Sequence, residues 1–85
     1  MSSTLTLTQT IARLVAHASA GSISEEQAAR PGTNLSELGL SSLDYLKLID
    51  AVELELGVFI DLEGDLAFMT SVQGIADYVS AQRAL

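Results

Sequence analysis

The sequence contains no cysteine. Disulfides, thiolate zinc sites, iron–sulfur ligation and thiol catalysis are therefore excluded, and a reducing compartment fits. Basic residues are scarce, 4 against 11 acidic ones, for a net charge of −7 and a pI near 4.2. A phosphate backbone would repel such a surface, so charge-driven nucleic-acid binding is disfavoured and partners with basic patches are expected. Proline occurs once, at Pro31, and there is no tandem repeat or low-complexity tract. No apolar run approaches the ~18 residues of a membrane helix. Met1 to Gln9 is polar and lacks the basic start and apolar run of a signal peptide. What is present is 48% hydrophobic with a mean hydropathy of +0.36, which argues for a packed domain despite the acidity. A chain of 85 residues suffices for one domain and not for two. The expectation is a small soluble cytoplasmic monomer, residues 1–85, with an ordered core over about 5–82.

Leu7, Ile11, Leu14, Val15 and Ala18 fall on one stripe of an amphipathic helix, with Gly21 as its stop. Ser22-Ile-Ser-Glu25 reads as a capping box opening a short helix that runs through Ala29. Arg30-Pro-Gly-Thr-Asn34 ends it in turn chemistry. Leu35, Leu38 and Leu40 then punctuate a long connection and are expected to pin it to the core. From Ser42 to Leu56 there is neither glycine nor proline. Ser41 or Ser42 can cap this segment, Asp44 suits its first turn and Gly57 its end. Val58-Phe-Ile60 reads as a core-anchored connection, because a lone strand has nothing to pair with. Asp61 to Met69 is ambiguous and allows one short helix. Thr70-Ser-Val-Gln73 reads as a capping box for a last helix with Val72, Ile75, Ala76 and Val79 on one side. The fold class is all-α: a small helical bundle of three main helices and one short helix, with a long first loop.

At roughly 100° per residue, Tyr45, Leu48, Ile49, Val52 and Leu56 form the core face of the third segment. Leu43, Leu46 and Leu54 fall opposite, among Lys47, Asp50 and Glu53. Either a tight bundle buries this helix on more than one side, or the outer leucines are a partner-docking face ringed by charge. From Glu37 to Asp77 there are nine carboxylates and one base, Lys47. That local acidity would steer a basic partner onto the face.

Glu37-Leu-Gly-Leu-Ser-Ser-Leu-Asp44 opens this helix and resembles the phosphopantetheine-dependent carriers, the acyl carrier proteins and their peptidyl carrier relatives. Their signature is Leu-Gly, one residue, then Asp-Ser-Leu. Here it reads Leu38-Gly39, Leu40, Ser41-Ser42-Leu43. Glu53-Leu-Glu-Leu-Gly-Val-Phe-Ile60 is similar to the stretch closing the family's second helix, and Thr70 to Val79 to its last, so the likeness covers nearly the whole chain. It implies a 4′-phosphopantetheine arm from coenzyme A, attached through a phosphodiester to Ser42 by a phosphopantetheinyl transferase. Ser41, Leu43 and Asp44 would lie beside it. The arm's thiol would carry acyl or aminoacyl cargo as thioesters, supplying the thiol the chain lacks. A serine at a helix start also places a phosphate near free N–H groups and the positive dipole end.

On this resemblance the chain is a free-standing, non-catalytic carrier. Leu43, Leu46, Asp50, Glu53 and Leu54 would form its docking face for loading, condensing and tailoring enzymes. Two departures stand out. Ser41 replaces the family's usual Asp, which contributes to transferase recognition. Lys47 and Asp50 stand where fatty-acid carriers are commonly acidic and apolar, pointing to a specialised, polyketide-like pathway. A peptidyl or aminoacyl carrier of a nonribosomal peptide pathway is the alternative cargo class. An acidic helical adaptor without a prosthetic group is the alternative from another class. An enzyme is disfavoured: His17, the only histidine, is remote in sequence from Ser42 and reads as structural, and Leu43 stands where a nucleophile elbow requires glycine. Asp61-Leu-Glu-Gly-Asp65 resembles half an EF-hand loop, but its glycine is misplaced and Val72 occupies the position of the bidentate glutamate.

Overall fold

The structure, a computed structural model, describes Ser3–Arg83. Its elements are α1 (Ser3–Ala18), α2 (Glu25–Ala29), α3 (Ser42–Leu56), a 3-10 turn (Ala67–Thr70) and α4 (Val72–Arg83). The described residues contain no strand, and Val58 and Ile60 anchor the following connection to the core as expected, while Phe59 between them is exposed. Two short elements are present rather than one, α2 and the 3-10 turn, the latter lying in the ambiguous stretch before α4.

The apolar stripe of α1 explains the architecture. Leu7, Ile11, Leu14, Val15 and Ala18 are all buried, and α1 packs against α2, α3 and α4. Leu48, Ile49, Val52 and Leu56 from α3 and Val72, Ile75, Ala76 and Val79 from α4 complete the core. Tyr45 is half-buried at its edge.

Two capping assignments move. The box opening α2 is Ser24 with Gln27, not Ser22 with Glu25. Ile23 decides this: it is buried, and its N–H donates to Ser19 Oγ at 3.1 Å, so the chain is still entering the core at that point. The cap of α4 is Ser71, whose Oγ accepts from the Gly74 N–H at 2.9 Å. Thr70 is the last residue of the 3-10 turn, and its hydroxyl donates to the Ala67 carbonyl at 3.0 Å instead. The end of α1 also differs in detail. Ala20, at φ 55°, and the expected stop Gly21, at φ 86°, both have positive φ, and the Gly21 N–H reaches back to the Ala16 carbonyl at 2.9 Å.

The long first connection is wound rather than loose. Asn34 Oδ1 accepts from the Ser36 N–H at 2.9 Å. The Leu40 N–H closes a loop onto the Leu35 carbonyl at 3.2 Å, and the Leu35 N–H donates to the Thr70 carbonyl at 2.8 Å. Leu35 and Leu40 are buried and Leu38 is half-buried, as the pinning reading requires. This ties the connection that leads into α3 to the 3-10 turn before α4.

Candidate functional site at the start of α3

Gly39 makes the turn into α3, with φ at 99° and open space where a Cβ would stand. Backbone conformation, not crowding, requires glycine there. The turn sends Leu40 into the core and hands the chain to Ser41, the N-cap of α3. Ser41 Oγ accepts from the Asp44 N–H at 3.1 Å. In return, Asp44 Oδ2 accepts from the Ser41 N–H at 3.2 Å. The reciprocal box settles the choice of cap in favour of Ser41.

Ser42 is therefore the first helical residue, and it is exposed. Among the described residues its hydroxyl has no hydrogen-bond partner. The first N–H groups of a helix have no intrahelical acceptors. The box occupies those of Ser41 and Asp44, which leaves those of Ser42 and Leu43 for an outside acceptor such as a phosphate oxygen. An exposed hydroxyl beside two open donors at the positive end of a 15-residue helix fits a phosphodiester-linked group.

The outer leucines of α3 are not buried by a second layer of the bundle. Leu43 is 61% exposed, Leu46 54% and Leu54 78%. Leu43, Leu46, Lys47, Asp50 and Leu54 share one stripe, since their spacing returns to the same azimuth every three to four residues. Lys47 and Asp50 are exposed with them. Glu53 is half-buried at the edge of the stripe, and its Oε2 accepts from the Ile60 N–H at 2.9 Å, so it also fastens the connection that follows the helix.

On another face of α3, Ser42, Tyr45 and Ile49 are aligned by the same periodicity. Tyr45 and Ile49 line a cavity of about 230 Å³ with Ser36, Leu66, Met69 and Thr70. Ser36 Oγ and Tyr45 Oη are 3.0 Å apart at this cavity. Sequence reading had no means to find it, because it lies between segments that are distant in the chain. His17 is exposed on α1 and no hydrogen bond joins it to Ser42. In the acidic loop, Asp61 Oδ1 and Asp65 Oδ1 accept from the N–H groups of Glu63 and Ala67. No described helix is long and apolar enough to cross a membrane.

One further exposed group escaped the sequence reading. Phe59 is 68% exposed although Val58 and Ile60 on either side are buried. The signal was the extended conformation itself, which sends alternate side chains to opposite faces.

A family model described as a phosphopantetheine attachment site matches residues 6–79. Neither the curated proteins nor the solved structures gave a match.

Proposed function

This chain belongs to the phosphopantetheine-attachment family, and from that premise we propose that it is an acyl carrier protein whose attachment site is Ser42. Proteins of this family carry 4′-phosphopantetheine covalently and work with a phosphopantetheinyl transferase and biosynthetic enzymes. The observation that carries Ser42 is its hydroxyl, exposed and unbonded at the first position of α3. Ser41, the neighbouring hydroxyl, is committed to the Asp44 N–H. The open N–H groups of Ser42 and Leu43 would hold the phosphate, and Leu43 offers apolar contact beside it. When attached, the group supplies a terminal thiol on which cargo is held as a thioester. The residues of the chain hold and present; they catalyse nothing.

Leu43, Leu46, Asp50 and Leu54, with Glu53 at the edge, are the docking stripe. The leucines supply contact area, and the carboxylates supply steering. Acyl rather than peptidyl cargo is favoured by the largely apolar cavity of Tyr45, Ile49, Leu66 and Met69, on the face of α3 that Ser42 shares. The Lys47–Asp50 pair points to partners of a specialised, polyketide-like pathway.

Intact mass before and after incubation with coenzyme A and a broad-specificity transferase tests the assignment. The expected result is one added phosphopantetheine, mapped to Ser42, retained in Ser41→Ala and lost in Ser42→Ala. An arm still gained by Ser42→Ala would sink the assignment. No mass change in the wild type with several transferases would favour the adaptor reading.

A further inference from the structure

The cavity beside α3 is graded from a polar rim to an apolar floor. Ile49 and Met69 are buried and form the floor. Tyr45 is half-buried and Ser36 exposed, so their hydroxyl pair stands at the open side. The walls are clipped together: the Leu35 N–H donates to the Thr70 carbonyl at 2.8 Å, which fixes the segment carrying Ser36 against the 3-10 turn carrying Met69. At 1.5 Å of rise per residue, Tyr45 and Ile49 stand about 5 and about 10 Å along the helix axis from Ser42. A cavity of about 150 Å³ takes one benzene. The volume of about 230 Å³ here therefore admits a chain of roughly six to nine heavy atoms.

Hydrogen counting gives the rim its chemistry. The two hydroxyls, 3.0 Å apart, share one hydrogen bond. Whichever donates, the other keeps its own proton, so one O–H is left over in both arrangements. Thr70, the remaining polar side chain of the lining, has no proton to offer, because its hydroxyl donates to the Ala67 carbonyl. Water satisfies the spare O–H while the cavity is open to solvent. An alkyl chain laid across the rim displaces that water and returns no acceptor. A chain with an oxygen at that level replaces the water and still lays its distal carbons on Ile49 and Met69.

We propose that the Ser36–Tyr45 pair selects the cargo: short acyl chains oxygenated at the third carbon, oxo or hydroxy, are held in preference to saturated chains of the same length. The selection rests on Ser42 as the attachment site and on acyl cargo, as proposed above. Its direction is the distinctive part. An apolar cavity alone ranks a saturated chain above a hydroxylated one, because a polar atom buried there without a partner costs free energy. The rim reverses that order. The thioester carbonyl is common to every cargo and discriminates between none. An oxygen at the far end of the chain is carried to the floor, where Ile49 and Met69 offer it no donor.

The test loads the full chain with hexanoyl, 3-oxohexanoyl, 3-hydroxyhexanoyl or 6-hydroxyhexanoyl pantetheine, from the corresponding coenzyme A thioesters and a broad-specificity transferase. Intact mass verifies loading first. The readout is the rate at which an added small thiol removes each chain, relative to the same thioester on free pantetheine, so that intrinsic reactivity cancels. Protection of the 3-oxo and 3-hydroxy chains should exceed that of hexanoyl about tenfold, with 6-hydroxyhexanoyl protected least. Methyl NMR shifts at Ile49 and Met69 should follow the same order. The double variant Ser36→Ala/Tyr45→Phe removes both hydroxyls, keeps the ring and should turn the order in favour of hexanoyl. Tyr45→Phe alone, a second variant should the double one fail to fold, should narrow the preference several-fold. Equal protection of hexanoyl and the 3-oxygenated chains, or of the 3-hydroxy and 6-hydroxy chains, would overturn the proposal. So would a double variant that melts lower yet keeps the preference, the mark of a pair that only pins the loop. A wild type that takes no arm overturns the attachment reading as well, whereas one that loads and shows no preference overturns this inference alone.

Discussion

Gly74 occupies a position where no side chain fits. A Cβ built there would overlap the Phe68 carbonyl oxygen and lie 3.1 Å from Ser71 Oγ, the atom that caps α4 through the Gly74 N–H. Alanine is the better helix former by about 1 kcal/mol, so the sign depends on whether the neighbour can give way. It cannot do so cheaply. The clashing atom is backbone, at the 3-10 turn whose Thr70 carbonyl holds the Leu35 N–H. Gly74→Ala is therefore expected to destabilise by about 1–3 kcal/mol, lowering the thermal midpoint by at least about 4 °C. An unchanged midpoint in a calorimetric scan would show that the turn moves freely. Ser41 makes the complementary point. Serine and aspartate are comparable N-caps, so losing the family's aspartate leaves the cap formed and removes only a charge. Asp44, whose carboxylate accepts from the Ser41 N–H, keeps a negative charge at this end of α3.

The ends of the helices show what was legible in the sequence and what was not. The span Ser42–Leu56 followed from its lack of glycine and proline and from Gly57, which sits in the left-handed conformation at φ 65° as a terminating glycine should. Where capping patterns overlap, tertiary contacts chose the register. Ser22 and Ser24 both begin a box, and the burial of Ile23 selected the second. The place of Ser42 at the start of α3 was legible from its motif, and the exposure of Leu43, Leu46 and Leu54 from the wheel of the helix. The Tyr45–Ile49 cavity was not, because it depends on the second connection meeting α3 across a long stretch of chain. The end of α1 gives an element-scale prediction. An alanine in the left-handed region costs about 1–2 kcal/mol, whereas glycine there loses only its unfolded-state freedom. Ala20 is exposed, at φ 55°, so its methyl contributes little packing. Ala20→Gly should raise stability by up to about 1 kcal/mol in a urea melt. A loss of stability would mean that Ala20 has relaxed out of this conformation in solution.

Across the whole molecule the charge is not shared evenly. Met1 to Ser36 holds Glu25 and Glu26 against Arg13 and Arg30 and is neutral. The remaining residues hold nine carboxylates against Lys47 and Arg83, which accounts for the entire net charge of −7. Arg83 is drawn onto the Leu56 carbonyl, at the negative end of α3, leaving Lys47 as the base on the exposed outer stripe of that helix. The carboxylates of α3 and the loop after it are mostly exposed, so they act through solvent and are screened by salt. The Debye length shrinks from about 30 Å at 0.01 M to about 3 Å at 1 M. If the outer face of α3 is the docking surface proposed above, steering operates on encounter and the apolar contacts of Leu43, Leu46 and Leu54 set how long a complex lasts. Stopped-flow association with a phosphopantetheinyl transferase should separate the two. Its on-rate is expected to fall about tenfold between roughly 0.02 and 0.5 M NaCl, with the off-rate changing far less. Leu54→Ala should do the reverse, raising the off-rate with little effect on the on-rate. An on-rate flat in salt would mean that the acidity keeps the molecule soluble and does not guide its partners.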